Sequence, residues 1–135
     1  MVQNQRGIPA FVSAARVAFT LDGATLTARI TGEIDHHAAR RLRDEIDAEV
    51  FRTLPATLAL DLSEVGFMDS AGLGLILGRL NLMTGRKGVL KLFGLRPAVG
   101  RILLLAGVER LPGLILPGQT VPDESKETAA PIGAN

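Results

Sequence analysis

The chain has 135 residues, 47% of them hydrophobic, and a formal net charge of +1. That length fits one domain around a single core, and the balanced charge gives no electrostatic footprint for nucleic acid. With no cysteine, tryptophan or tyrosine, disulfides, cysteine-ligated zinc and a thiol nucleophile are excluded, and few rings remain on which bases would stack.

Residues 1–14 mix Gln, Asn, Arg, Gly and Pro without period and are expected to form a loose arm. The apolar segment AFVSAA within it is too short for a signal core and is cut by Arg16. No run is long enough to span a bilayer. The expectation is a cytoplasmic, soluble, monomeric protein without a direct membrane or nucleic-acid partner.

Val17, Phe19 and Leu21 alternate with other residues, Asp22-Gly23 follows, and Leu26, Ala28 and Ile30 alternate again. Two period-two segments around Asp-Gly predict a β-hairpin. Asp35 is then a good helix N-cap. Ala39, Leu42, Ile46 and Val50 supply the apolar face, with Arg40, Arg43, Asp44 and Asp47 on the opposite face. Pro55 bars continuation, and Leu58, Leu60 and Leu62 alternate in a third strand.

A second helix is predicted from about Ser70 to Thr84, followed by a turn over Gly85-Arg86-Lys87-Gly88 and a fourth strand over Val89–Phe93. Arg86 and Lys87 are expected to be solvated there, and Asp61 and Glu64 to form a loop pair without acid–base work. Pro97 suits the first turn of a third helix ending near Gly107, and Leu114–Leu116 predicts a short last strand. The residues from 117 onward are polar, small and aperiodic, which predicts a disordered tail. The order β-β-α-β-α-β-α-β predicts an α/β domain over 15–116, a mixed four- to five-stranded sheet with helices packed on it.

The stretch FMDSAGLGLILGR, Phe67 to Arg79, carries the chemistry. A serine between a strand end and a helix start lies where α/β sheets meet their ligands. Ser70 can cap the helix, and the unpaired N–H groups of that terminus would also stabilise an anion. A phosphate on Ser70 would bring about −1.5 to −2 charges beside Asp69. A nucleophile fits less well: Gly-x-Ser-x-Gly fails at Met68, and the only histidines are His36 and His37. The glycines at 72, 74 and 78 are not followed by Lys-Ser or Lys-Thr, so no Walker-type loop is present. Leu73, Leu75, Ile76, Leu77, Leu80, Leu82 and Met83 surround the helix, so part of it either stays exposed or is covered by a neighbouring helix. The Gly74/Gly78 pair is expected to serve close packing within the core.

Asp35-His36-His37 has the letters of a metal-dependent phosphoesterase run, but no further histidine and no aspartate cluster follow. An aspartate cap with a polar first turn is the expected reading, with neither metal nor cofactor. The starts of helices one and two are placed at one edge of the sheet, so that Asp35 and His36 border Ser70.

GEIDHHAARRLRDEI, LALDLSEVGFMDSAGLGLILGR and LRPAVGRILLLAGVERL together resemble the anti-sigma factor antagonists, which have the STAS fold. The resemblance runs from about Val17 to Leu116, and three separated motifs in order make it specific. The Asp-His-His start and the DSAGLGLILGR run are most similar to the sporulation antagonists of the anti-sigma F factor. The resemblance implies a non-enzymatic partner switch. The unphosphorylated antagonist would bind an anti-sigma factor that is also a serine kinase and so free sigma. The kinase would phosphorylate Ser70 and release it, and a PP2C-type phosphatase would restore it. The implied partner-binding residues are Asp35, His36, Asp69, Ser70, Ala71 and Gly72. Ala71 stands where the sporulation relative has a second serine, and Gly100 and Leu103–Leu105 replace more polar residues. The alternatives are a STAS scaffold or regulatory module in another assembly, stressosome-like or transporter-associated, and a small hydrolase using Ser70 or the Asp-His-His run.

Overall fold

The computed structural model describes residues 15–117. The arm expected over 1–14 and, apart from Pro117, the expected tail lie outside the described residues. Strand β1 (Arg16–Asp22) pairs antiparallel with β2 (Thr25–Thr31), from Arg16 opposite Thr31 to Asp22 opposite Thr25. The hairpin therefore turns on Gly23-Ala24, one residue later than Asp22-Gly23. Gly23 takes the left-handed φ of +61° that the tight loop needs.

Helix α1 (His36–Thr53) begins at the Asp35 cap and stops at Leu54, whose φ of 51° is left-handed, with Pro55 behind it. Its buried residues are Ala38, Leu42, Ile46 and Val50. The expected Ala39 sits one position around the helix, half-buried. The opposite face is not uniformly solvated either, because Asp47 is partly buried against the next helix.

Strand β3 (Thr57–Glu64) runs parallel to β2, β4 (Val89–Phe93) parallel to β3, and β5 (Leu114–Ile115) parallel to β4, giving one five-stranded sheet in the order of the sequence. The registers Leu26–Leu58–Leu90–Leu114 and Ala28–Leu60–Leu92 stack apolar residues across one face, and all of these are buried. Crossovers of one hand in a sheet that advances in a single direction fall on a single face. The buried residues of α1, of α2 (Ser70–Gly85) and of α3 (Pro97–Ala106) accordingly join this face in one core. Each fully buried leucine contributes about 1.5–3 kcal/mol relative to exposure.

The apolar circumference of α2 is divided between sheet and neighbours. Leu75, Ile76, Leu80 and Met83 are buried, and Leu73, Leu77 and Leu82 pack partly against the core. The helix with outward leucines is instead α3, where Leu104 and Leu105 are exposed while Val99 and Leu103 are buried. Gly107, with φ +73°, ends α3 as expected.

Three local expectations are revised. Asp61 and Glu64 lie within β3, not in a loop, and Asp61 Oδ1 accepts from the Ser63 hydroxyl at 2.7 Å. Arg86 is not merely solvated, since its Nη1 donates to the Pro55 carbonyl at 3.4 Å and its backbone N–H caps α2. The Gly74/Gly78 pair does not pack into the core: a Cβ at either position would meet no atom within 4 Å.

Candidate functional site

The two loops that enter α1 and α2 are joined to each other. Ile34 and Met68 form an isolated parallel β-bridge. The Ile34 N–H donates to the Phe67 carbonyl at 3.1 Å, and the Asp69 N–H donates to the Ile34 carbonyl at 3.2 Å. Both Ile34 and Met68 are fully buried. They anchor the loops from beneath and hold Asp35 and Asp69, the next residue in each chain segment, side by side.

Each aspartate caps its own helix. Asp35 Oδ1 accepts from the N–H groups of His37 at 3.1 Å and Ala38 at 2.9 Å. Asp69 Oδ1 accepts from Ala71 at 2.8 Å and Gly72 at 3.3 Å. A carboxylate satisfies the otherwise unpaired N–H groups and complements the helix dipole. The Ala38 N–H holds the Asp35 carboxyl below the ordinary aspartate range, with the His37 N–H and the two imidazoles adding to this and burial opposing it.

The cap of α2 is thus Asp69 and not Ser70. Ser70 is the first helical residue, exposed, and its hydroxyl has no partner among the described residues. A capping role for the serine is thereby removed, and a nucleophilic one is weakened. A nucleophile requires a base, but the imidazole at this edge is directed elsewhere: His36 Nδ1 lies 3.9 Å from Asp69 Oδ2. The His36 ring also tilts against that of His37 at 4.0 Å between centroids.

The residues expected at one edge are brought together, with one exception. Asp35, His36, Asp69, Ser70 and Ala71 reach the surface there, whereas Gly72 is buried. It packs closely inside, where a Cβ at position 72 would fall 2.6 Å from Met68 Cβ. Phe67, nearly half exposed at 46%, adds an apolar side chain to the same edge. Sequence periodicity has no means of selecting it, although an aromatic beside the Asp-Ser pair is a signal. Among the described residues no cluster of three or more His, Cys, Asp or Glu could hold a metal ion.

Comparison with known proteins matches residues 17–123 to the STAS domain family. The anti-sigma F factor antagonist of Paenibacillus polymyxa is 35% identical over 86 residues, covering 64% of this chain and 74% of that one. That of Lysinibacillus sphaericus is 33% identical over 84 residues, covering 62% and 72%. The chain belongs to the STAS-domain anti-sigma factor antagonists. Two solved structures extend the likeness. The antagonist SpoIIAA in its unphosphorylated form superposes with a TM-score of 0.64 at 25% identity, covering 87% of this chain and 98% of that one. The phosphorylated form of the Bacillus cell fate determinant SpoIIAA gives 0.59 at 25% identity, covering 87% and 100%. The antagonists are regulatory binding proteins, not enzymes, and among the described residues no helix is long and apolar enough to cross a membrane.

Behind the Ser70 edge, α1 and α2 share a charge pair that no pattern within either helix signals. Arg79 on α2 is 7% exposed, and its Nε lies 2.9 Å from Asp47 Oδ1 on α1. Burial lowers the pKa of Arg79 and raises that of Asp47, and in each case the partner's charge opposes the shift. In the sequence Arg79 merely closes an apolar helix run, and Asp47 belongs to a charged face.

Proposed function

We propose that this protein binds an anti-sigma factor that is also a serine kinase, and that it does so in its unphosphorylated form, freeing the sigma factor in the cytoplasm. Phosphorylation at Ser70 switches it off, and a PP2C-type phosphatase restores it. The observation that carries this reading is the division of labour at the start of α2. Asp69 takes the capping bonds, and Ser70 is left exposed with an unengaged hydroxyl. A kinase can reach such a hydroxyl without unfolding the helix. The names of the relatives, and a neighbour solved in both phosphorylation states, support the same reading.

The docking surface in this reading comprises Asp35, His36, Asp69, Ser70 and Ala71, flanked by Phe67. A phosphate there adds about −1.5 to −2 charges to a surface that already carries two carboxylates. Burying that charge unpaired against a partner costs several kcal/mol, and about 1.4 kcal/mol already corresponds to tenfold in affinity. The test is incubation with ATP and each anti-sigma kinase of the same cell, followed by intact mass and phosphosite mapping. A single phosphate on Ser70 from one kinase is the expected result, together with tight binding by Ser70→Ala and at least tenfold weaker binding by Ser70→Asp. Phosphate at another residue, or equal affinity of Ser70→Asp and wild type, overturns the switch.

A further inference from the structure

A groove of about 370 Å³ runs between α1 and α2, lined by Ala39, Arg40 and Arg43 on one side and by Ala71, Gly74, Leu75, Gly78 and Arg79 on the other. It starts at the residue after Ser70 and follows α2 for two turns. We propose that this groove receives an acidic segment of the anti-sigma partner, with its backbone against Gly74 and Gly78 and a carboxylate over Arg40 and Arg43. The inference rests on the partner-switch reading above and specifies the chemistry of the partner.

Two independent observations carry it. The first is steric. Glycine inside a helix is unfavourable, so a helix normally retains it where a neighbour needs the space. Gly72 has such a neighbour in Met68, but a Cβ added at Gly74 or Gly78 would meet nothing within 4 Å. The space they leave opens outward, where a second backbone can approach closely.

The second observation is electrostatic. Arg79 is more than nine-tenths buried beneath the groove, and its Nη1 makes no hydrogen bond among the described residues. Its Nε sits 2.9 Å from Asp47 Oδ1, near enough for an ion pair but off the line of a hydrogen bond. Arg43 is held by Asp44 through Nε at 3.1 Å and Nη2 at 3.0 Å. Three guanidiniums therefore face two carboxylates, and Arg40 has no acidic partner among the described residues. A carboxylate entering from the partner balances the surplus and meets donors suited to planar oxyanions. The same arrangement gives the switch a mechanism: a phosphate on Ser70, at the mouth of the groove, repels the incoming carboxylate.

The test measures the affinity of the kinase that phosphorylates Ser70 for four forms of the full chain: wild type, Ser70→Asp, Arg40→Glu, and the double variant Gly74→Ala/Gly78→Ala. Arg40→Glu and the double glycine variant are expected to bind at least tenfold more weakly. The glycine variant should melt no lower than wild type, which separates groove filling from loss of fold. The salt dependence of binding should be shallower for Arg40→Glu. If only Ser70→Asp loses affinity, the groove proposal is overturned and the switch stands. If no anti-sigma kinase binds the wild type, the switch falls. The groove is then judged by amide shifts on titration with an alanine-based helical peptide bearing glutamates four residues apart, against its lysine counterpart. Shifts at Ala71, Gly74 and Gly78 with the glutamate peptide alone support it; no shifts, or equal shifts with both, overturn it.

Discussion

Ile34 and Met68 are joined in a parallel β-bridge, each one residue ahead of an aspartate that caps a helix. The bridge is what makes two segments distant in sequence a single surface. Gly72 is the residue that allows it, since any side chain at 72 pushes on Met68. Gly72→Ala is expected to destabilise by about 1–3 kcal/mol through overpacking. Gly74→Ala, two residues away in open space, is expected to stabilise by up to about 1 kcal/mol through helix propensity. Chemical denaturation of the two variants, with opposite signs expected, checks the geometry of the site from inside.

The Asp35 cap has a pH signature. Its folded-state pKa is depressed, chiefly by the Ala38 N–H. Its contribution is therefore fully present above the ordinary aspartate range and is lost as pH falls through the folded value. Asp35→Ala is expected to cost about 1 kcal/mol at neutral pH. The difference from wild type should shrink in acid and vanish once pH lies below the folded value, where the carboxyl is protonated in both states. Urea midpoints at neutral and acid pH measure it, and a difference that persists in acid would rule out the charged cap as its source.

Asp47 and Arg79 predict an asymmetry between single variants. Both lose more to burial than the partner's charge restores, so Asp47 has a raised pKa and Arg79 a lowered one. For Asp47 the sign is opposite to that of Asp35: its favourable contribution belongs to the protonated form and declines as pH rises through the folded value. Removing Asp47 strands Arg79, whose side chain is 8% exposed, whereas Asp47 is 28% exposed and can rehydrate when Arg79 is removed. Asp47→Leu is expected to cost about 3 kcal/mol, Arg79→Met distinctly less, and the double variant close to nothing. A double-mutant cycle by thermal denaturation reads all three.

Ser70 predicts a modification that leaves the fold alone. Its side chain is exposed and has no partner among the described residues, at the end of a helix where the dipole favours negative charge. Phosphorylated protein, or Ser70→Asp, is expected to unfold within about 0.5 kcal/mol of wild type, while partner affinity falls by an order of magnitude or more. A large loss of stability would mean that release proceeds through unfolding and not through surface charge.

Much of this is legible in the residues because the signals are local. Alternating leucines identify the strands, Pro55 and Gly107 mark helix ends, and Asp35 announces a cap. Ser70 stands out from its position between strand and helix. What stays hidden depends on contacts between elements. The competition between Asp69 and Ser70 for the cap turns on one residue of helix phase. Asp47 looks solvated until α2 is laid beside α1, and nothing within one helix says whether Gly74 faces the core or open space. The Ile34–Met68 bridge joins residues 34 positions apart, outside the range of any periodic pattern.

The sheet is laid down in the order of its sequence, each strand beside the one before it. Such an arrangement grows at one edge, like courses of masonry, and no early strand waits for a late one to fill a gap between neighbours. Everything the Ser70 edge requires, from the first hairpin through the bridge to the end of α2, is complete by Gly85. The remaining third of the domain buttresses a surface whose parts all precede it in the chain, so that third can vary in outward character, as the bare leucines of α3 illustrate, without redrawing the face presented to the partner.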